Sequence, residues 1–213
     1  MKTDDLIALL ATGAAPVDRR AAPRRLALAS AAAVGAALLL MWLLLGLNPQ
    51  LPAYLALPMF WVKAGFGVLV AAAATLALQR LARPGWRLSW VGAGLALPFA
   101  AVWALGLAAL LAAPPAERMH DWMGSTWTAC MVWIALLAVP GVVAALWLLR
   151  SMAPTRPVLA GAVAGLWAGG IGAFAYALHC PELAAPFIAS WYALGIAIPA
   201  VLGAALGARM LRW

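Results

Sequence analysis

Charge is what this chain has least of. Only 9% of its 213 residues are Asp, Glu, Lys or Arg, and 67% are hydrophobic; a soluble domain carries about 25% charged and roughly 45–50% apolar residues. So few charges cannot cover the surface of a water-soluble fold, and so many apolar side chains exclude a disordered one. The six acids all avoid the middle of the apolar runs, where a transporter needs them to line a path. Cysteine occurs twice, with no CxxC pair. That excludes a disulfide scaffold and leaves a membrane thiol oxidoreductase without a second pair to pass electrons on. The formal net charge is +8, but the basic residues lie in short groups between apolar runs, so direct nucleic-acid binding is not expected.

The chain does have six apolar runs, at about 26–47, 57–79, 90–112, 125–149, 158–179 and 187–208. Each is close to the roughly 20 residues with which a helix crosses a 30 Å hydrocarbon layer. Proline-containing breaks separate most of them, such as Asn48-Pro49-Gln50-Leu51-Pro52, Arg83-Pro84-Gly85 and Ala113-Pro114-Pro115, and proline ends helices by removing a donor and restricting the residue before it. The first run is too long for a signal-peptide core and is read as a span. The expected fold is all-α: a polytopic membrane protein with six transmembrane helices as three hairpins. Residues 1–25 form an N-terminal segment, 26–208 the transmembrane domain and 209–213 a short tail. Twelve of the fourteen basic residues fall on one side of this topology, Arg118 falls on the other and Lys63 lies inside a run. The positive-inside rule then places both termini in the cytoplasm.

On this topology both cysteines and both histidines lie near the outer face. Cys130 falls about one turn into the fourth span, His179 and Cys180 end the fifth at the outer surface, and His120 and Asp121 sit in the preceding outer loop. Thiols and imidazoles are what oxidants and soft or borderline metals attack. One reading is a Cys130–Cys180 sensor, closed as a disulfide or bridged by a soft metal ion with His179 helping. The plain reading makes Cys130 a small packing residue and His179 an interfacial cap. An oxidising compartment also permits a structural disulfide. Lys63 is expected to snorkel outward along the second span; the alternative is an ion pair with Glu182 or Asp121. No resident cofactor is indicated.

Gly161, Gly165 and Gly169 recur every four residues, as do Gly195, Pro199, Gly203 and Gly207, the spacing that lets helix backbones approach closely. Pro98, Pro140 and Pro199 fall inside spans and predict kinks. Trp127, one turn from Cys130, is a candidate shield for it. In the N-terminal segment Thr3 caps a short helix with Asp4 and Asp5 in its first turn, and Leu6, Ile7, Leu9 and Leu10 form an apolar stripe ended by Gly13. Acids beside the stripe disfavour an anionic membrane surface and favour a protein groove.

Several stretches carry a family resemblance: Thr3-Asp4-Asp5-Leu6-Ile7-Ala8-Leu9-Leu10, Leu57-Pro58-Met59-Phe60-Trp61-Val62-Lys63, Gly124-Ser125-Thr126-Trp127-Thr128-Ala129-Cys130, Ala153-Pro154-Thr155-Arg156-Pro157 and His179-Cys180-Pro181-Glu182-Leu183-Ala184-Ala185-Pro186-Phe187, with Trp191-Tyr192 following. Together they resemble the NrsF family of six-span bacterial inner-membrane anti-sigma factors. The resemblance implies a non-enzymatic protein whose cytoplasmic N-terminal segment holds an extracytoplasmic-function sigma factor. It also implies that Cys130 and Cys180 sense oxidative or heavy-metal stress and trigger release. The choice of Asp4, Asp5, Leu6, Ile7, Leu9 and Leu10 as sigma contacts comes from the stripe itself.

Overall fold

The computed structural model describes residues 3–12, 21–81, 89–152 and 154–211. Gly13, Arg19, Arg20, Arg83, Arg87 and Arg212, and the side chain of Leu10, lie outside the described residues. The short helix α1 (Thr3–Ala11) precedes the bundle, with Asp4 and Asp5 in its first turn as expected. Leu6, Ile7 and Leu9 on it are exposed. The long helices are α2 (Ala21–Leu44), α4 (Pro58–Leu81), α5 (Ser89–Ala112), α7 (Trp127–Arg150), α8 (Pro157–Ala177) and α10 (Ala193–Met210). At about 1.5 Å per residue a 24-residue helix is about 36 Å long, enough to cross a bilayer. Among the described residues six segments are long and apolar enough to be membrane spans, which bears out the count read from the sequence. Short helices α3 (Leu51–Tyr54), α6 (Arg118–Met123) and α9 (Ala185–Phe187) lie in the connections at one end, and a π-helical turn, Ile188–Tyr192, leads from α9 into α10.

The bundle is organised around α8, which packs against α4, α7 and α10, while α2 lies on α7 and α8, and α5 on α4 and the π-helical turn. Of the helix pairs read as hairpins, the last, α8 with α10, is a principal packing pair; α2 and α4 find their main partners elsewhere in the bundle. The physical cause is the glycine content of α8. Gly161 and Gly165 touch the backbone of α10 at Gly203 and Pro199, and a Cβ on Gly207 would lie 2.5 Å from the Pro157 carbonyl. Two further glycines serve other neighbours: a Cβ on Gly170 would come within 2.7 Å of Gly67 of α4, and one on Gly172 within 2.6 Å of the Ile134 carbonyl of α7. With lipid as apolar as any side chain, close backbone contact of this kind is what selects partners. Gly195 departs from the expected stripe, because it faces Ile134 of α7 rather than α8. Pro98, Pro140 and Pro199 lie inside α5, α7 and α10 as expected.

Candidate functional site

The end of the bundle that carries α3, α6 and α9 holds a buried polar cluster. Its centre is the segment 178–184, which links α8 to α9. Cys180 is not at the surface, as its place at a span end suggested; it is 0% exposed, and so is Cys130, in the first turn of α7. The two thiols are neighbours, the Cys130 thiol favouring the Cys180 thiolate as a donor, and both cysteines are free. The expectation that the ends of the fourth and fifth spans lie together is therefore met.

Lys63 is the reason the segment turns inward. It does not snorkel. Its side chain is 0% exposed, and Nζ donates to the carbonyls of Cys180 at 2.7 Å and Glu182 at 3.0 Å. The rings of Phe60 and Tyr192 stand 6.0 Å from the ammonium, a range at which an aromatic face attracts a cation. Lys63 thus reaches residue 182 through its backbone and not through the ion pair weighed from sequence. The Glu182 carboxylate points elsewhere, accepting from Ser125 N–H and Oγ–H, both at 2.7 Å, and from Thr126 Oγ–H at 3.4 Å. A carboxylate at this position favours the helix N-terminus that α7 presents. Gly124 makes room for it: φ is +56°, and a Cβ there would lie 2.9 Å from the Glu182 carboxyl carbon. One short segment therefore ties α4 to α7.

His179 is not brought to the thiols. Its Nδ1 lies 3.0 Å from the Gly46 carbonyl, and Asn48 N–H donates to the Leu178 carbonyl at 3.2 Å, so residues 178 and 179 fasten the end of α2. Among the described residues no three His, Cys, Asp or Glu side chains form a metal-binding group. Two sulfurs and no third ligand can bridge a soft ion linearly but do not build a tetrahedral zinc site. Trp127 packs on Trp191, centroids 4.9 Å apart, and Trp191 Nε1 donates to the Trp122 carbonyl at 2.7 Å.

Tyr192 was missed by the sequence reading. The π-helical turn carries it inward, and its hydroxyl is buried without a close hydrogen-bond partner while lying against the Cys180 sulfur, whose thiolate it favours. A phenol in an apolar run, next to a motif tryptophan, was the available signal; π-helical turns within α-helices mark functional sites disproportionately.

Cys180 lies between two spans, and its surroundings hold its thiol below the ordinary range, down to about 6. The hydrogen bond from Cys130 is the main cause. Burial opposes the shift; the Lys63 ammonium, the Tyr192 hydroxyl and the Glu182 backbone add to it. The thiolate is the reactive form, so labelling of Cys180 by a small alkylating agent should rise as pH passes about 6 and level off by neutrality. A Cys130→Ala variant isolates the site for mass-spectrometric readout, with the rise moved upward by loss of the donor that favours the Cys180 thiolate. A rise centred near an ordinary thiol pKa in the native chain would show that these contacts do not favour the thiolate.

Comparison with known proteins places this geometry. A family model described as NrsF, negative regulator of sigma F, matches residues 10–213. The chain is 49% identical over 213 residues, the whole of both sequences, to the probable anti-sigma-F factor NrsF of Azospira oryzae. It is 41% identical over 216 aligned positions, again the whole of both, to the anti-sigma-F factor NrsF of Caulobacter vibrioides. No solved structure matches it. These names describe regulators and not enzymes. With its whole length matched and its motif residues gathered at one end of a six-span bundle, the chain belongs to the NrsF family.

Proposed function

We propose that this chain is an anti-sigma factor of the bacterial inner membrane. It holds a sigma factor of the extracytoplasmic-function class through its cytoplasmic N-terminal segment, and releases it when Cys130 and Cys180 react with an oxidant or a soft metal ion. The names of both relatives support the regulatory role. The observation that carries the sensing half is the burial of the chain's two cysteines against each other, beneath a segment that also fastens α2, α4 and α7. A structural thiol pair needs neither a buried lysine holding the backbone beside it nor a phenol against its sulfur.

Arg24, Arg25, Arg80, Arg150, Arg156 and Arg209 lie at helix ends remote from the thiols, which supports a cytoplasmic setting for that end. There α1 offers Leu6, Ile7 and Leu9, with Asp4 and Asp5 at its start, as a helix for a groove on the partner. At the thiols, a peroxide-class oxidant is attacked by the Cys180 thiolate, giving a sulfenic acid and hydroxide; the Cys130 thiol condenses with it, releasing water and leaving a disulfide. A soft cation instead displaces the Cys130 proton and bridges the sulfurs. Disulfide closure, or bridging by a divalent soft cation, removes the negative charge beside Lys63 and draws Cys180 toward α7. A disulfide contributes about 2–4 kcal/mol, enough to shift a coupled binding equilibrium roughly 30- to 900-fold.

The test is co-purification of a sigma factor with the membrane-extracted full chain, with and without thiol oxidant. Oxidant should strip the sigma factor from the native chain and leave it on Cys130→Ser/Cys180→Ser. Removal of residues 1–15 should abolish co-purification under both conditions. Equal release from the double variant removes the sensor role; a sigma factor that stays on the shortened chain moves the contact away from α1.

A further inference from the structure

At the end remote from the thiols an apolar groove of about 940 Å³ runs between α2 and α7. Leu28 and Ala32 form one wall, Ala144 and Leu148 the other, and Arg25 and Arg150 stand at its rim. Among the described residues neither guanidinium has a hydrogen-bond or ion-pair partner. Trp147, on the α7 wall, is 79% exposed. An apolar groove on a membrane-spanning face is filled by acyl chain in any bilayer. Two guanidiniums at its mouth, unpartnered among the described residues, add a preference for a headgroup of negative charge, since arginine binds phosphate through paired N–H donors. An exposed tryptophan at the same height marks the interfacial layer, where headgroups begin.

We propose that this groove is a binding site for a single anionic phospholipid. Its phosphate lies between Arg25 and Arg150, one acyl chain lies along Leu28, Ala32 and Ala144, and the Trp147 indole lies against the glycerol region. The two walls are the helix that carries Cys130 at its far end and the helix that follows the N-terminal segment, so the lipid bridges the sensor helix and the leader. The site is argued from the groove alone and stands whether or not the thiols sense anything.

Native mass spectrometry of the full chain in detergent, titrated with phosphatidylglycerol or phosphatidylcholine, tests it. Near a membrane each arginine contributes about fivefold in affinity for an anionic lipid, so the pair contributes roughly 30-fold. Phosphatidylglycerol should therefore bind roughly 30-fold tighter than phosphatidylcholine. Arg25→Gln/Arg150→Gln should lose that preference, and Arg25→Lys/Arg150→Lys should keep most of it. Arg118→Gln, at the opposite end, should leave it unchanged. Equal retention of the two lipids by the native chain overturns the proposal, even if the double variant fails to assemble. So does a phosphatidylglycerol preference that survives in a folded Arg25→Gln/Arg150→Gln chain.

Discussion

Lys63→Met in the full chain should lower its unfolding free energy in detergent by about 2–4 kcal/mol and abolish the oxidant response of sigma co-purification. The stability loss follows from the two carbonyls that Nζ satisfies, those of Cys180 and Glu182. Each buried acceptor left without a donor costs about 1–3 kcal/mol. Relief from burying an ammonium offsets part of that sum, and methionine of similar length fills the space. The functional loss follows from geometry: with no donor from α4, the 180–182 turn is no longer held over the thiols, and a change at Cys180 has nothing to pull on. Lys63→Arg should not rescue, because the site is fully enclosed and a forked guanidinium does not replace a compact ammonium. Chemical unfolding followed by tryptophan fluorescence reads the first effect and the sigma pull-down the second. Unchanged values in both would leave Lys63 a passenger.

Gly165→Val should be more damaging still, at about 3 kcal/mol or more, with little folded protein recovered. A Cβ built on Gly165 falls on the Pro199 carbonyl, and the atoms it would meet, of Pro199 and Ala200, belong to helix backbone, which cannot step aside as a side chain would. The α8–α10 pair must separate, and overpacking of even adaptable cores costs about 1–3 kcal/mol. Gly35→Ala in α2 is the matched control. No atom lies within 4 Å of its Cβ position, so the substitution should be neutral or stabilise by up to about 1 kcal/mol through helix propensity. Similar losses at both positions would show that glycine acts here through the backbone and not through contact. Melting temperature in detergent, with recovery by size-exclusion chromatography, distinguishes the two.

Tests of both kinds bear on residues that were partly legible beforehand. The four-residue glycine repeats in α8 and α10 announced a close helix pair, and Gly161 and Gly165 do meet Gly203 and Pro199. Gly67, Gly170 and Gly172 belong to no such repeat, so the contacts that place α4 and α7 on the same helix were invisible. Among the reactive groups, the spacing of the spans was enough to bring Cys130 and Cys180 to one end. It was not enough to show Cys180 folded inward, because the turn that buries it is made by Lys63, 117 residues away. His179 sits next to Cys180 in sequence yet serves Gly46, since successive residues in the turn that closes α8 point different ways.

Sequence by itself determined how many times the chain crosses the membrane and where the arginines gather. Both are set by transfer of side chains between water and hydrocarbon, which depends on composition along the chain and not on neighbours in space. Only the tertiary structure decided which helix is central, that Lys63 turns inward, and which polar atoms share the enclosed end. Those choices leave no mark in hydropathy, because a lipid-facing and a helix-facing surface are equally apolar. They are made by backbone approach and by hydrogen bonds that exist only once distant helices have met.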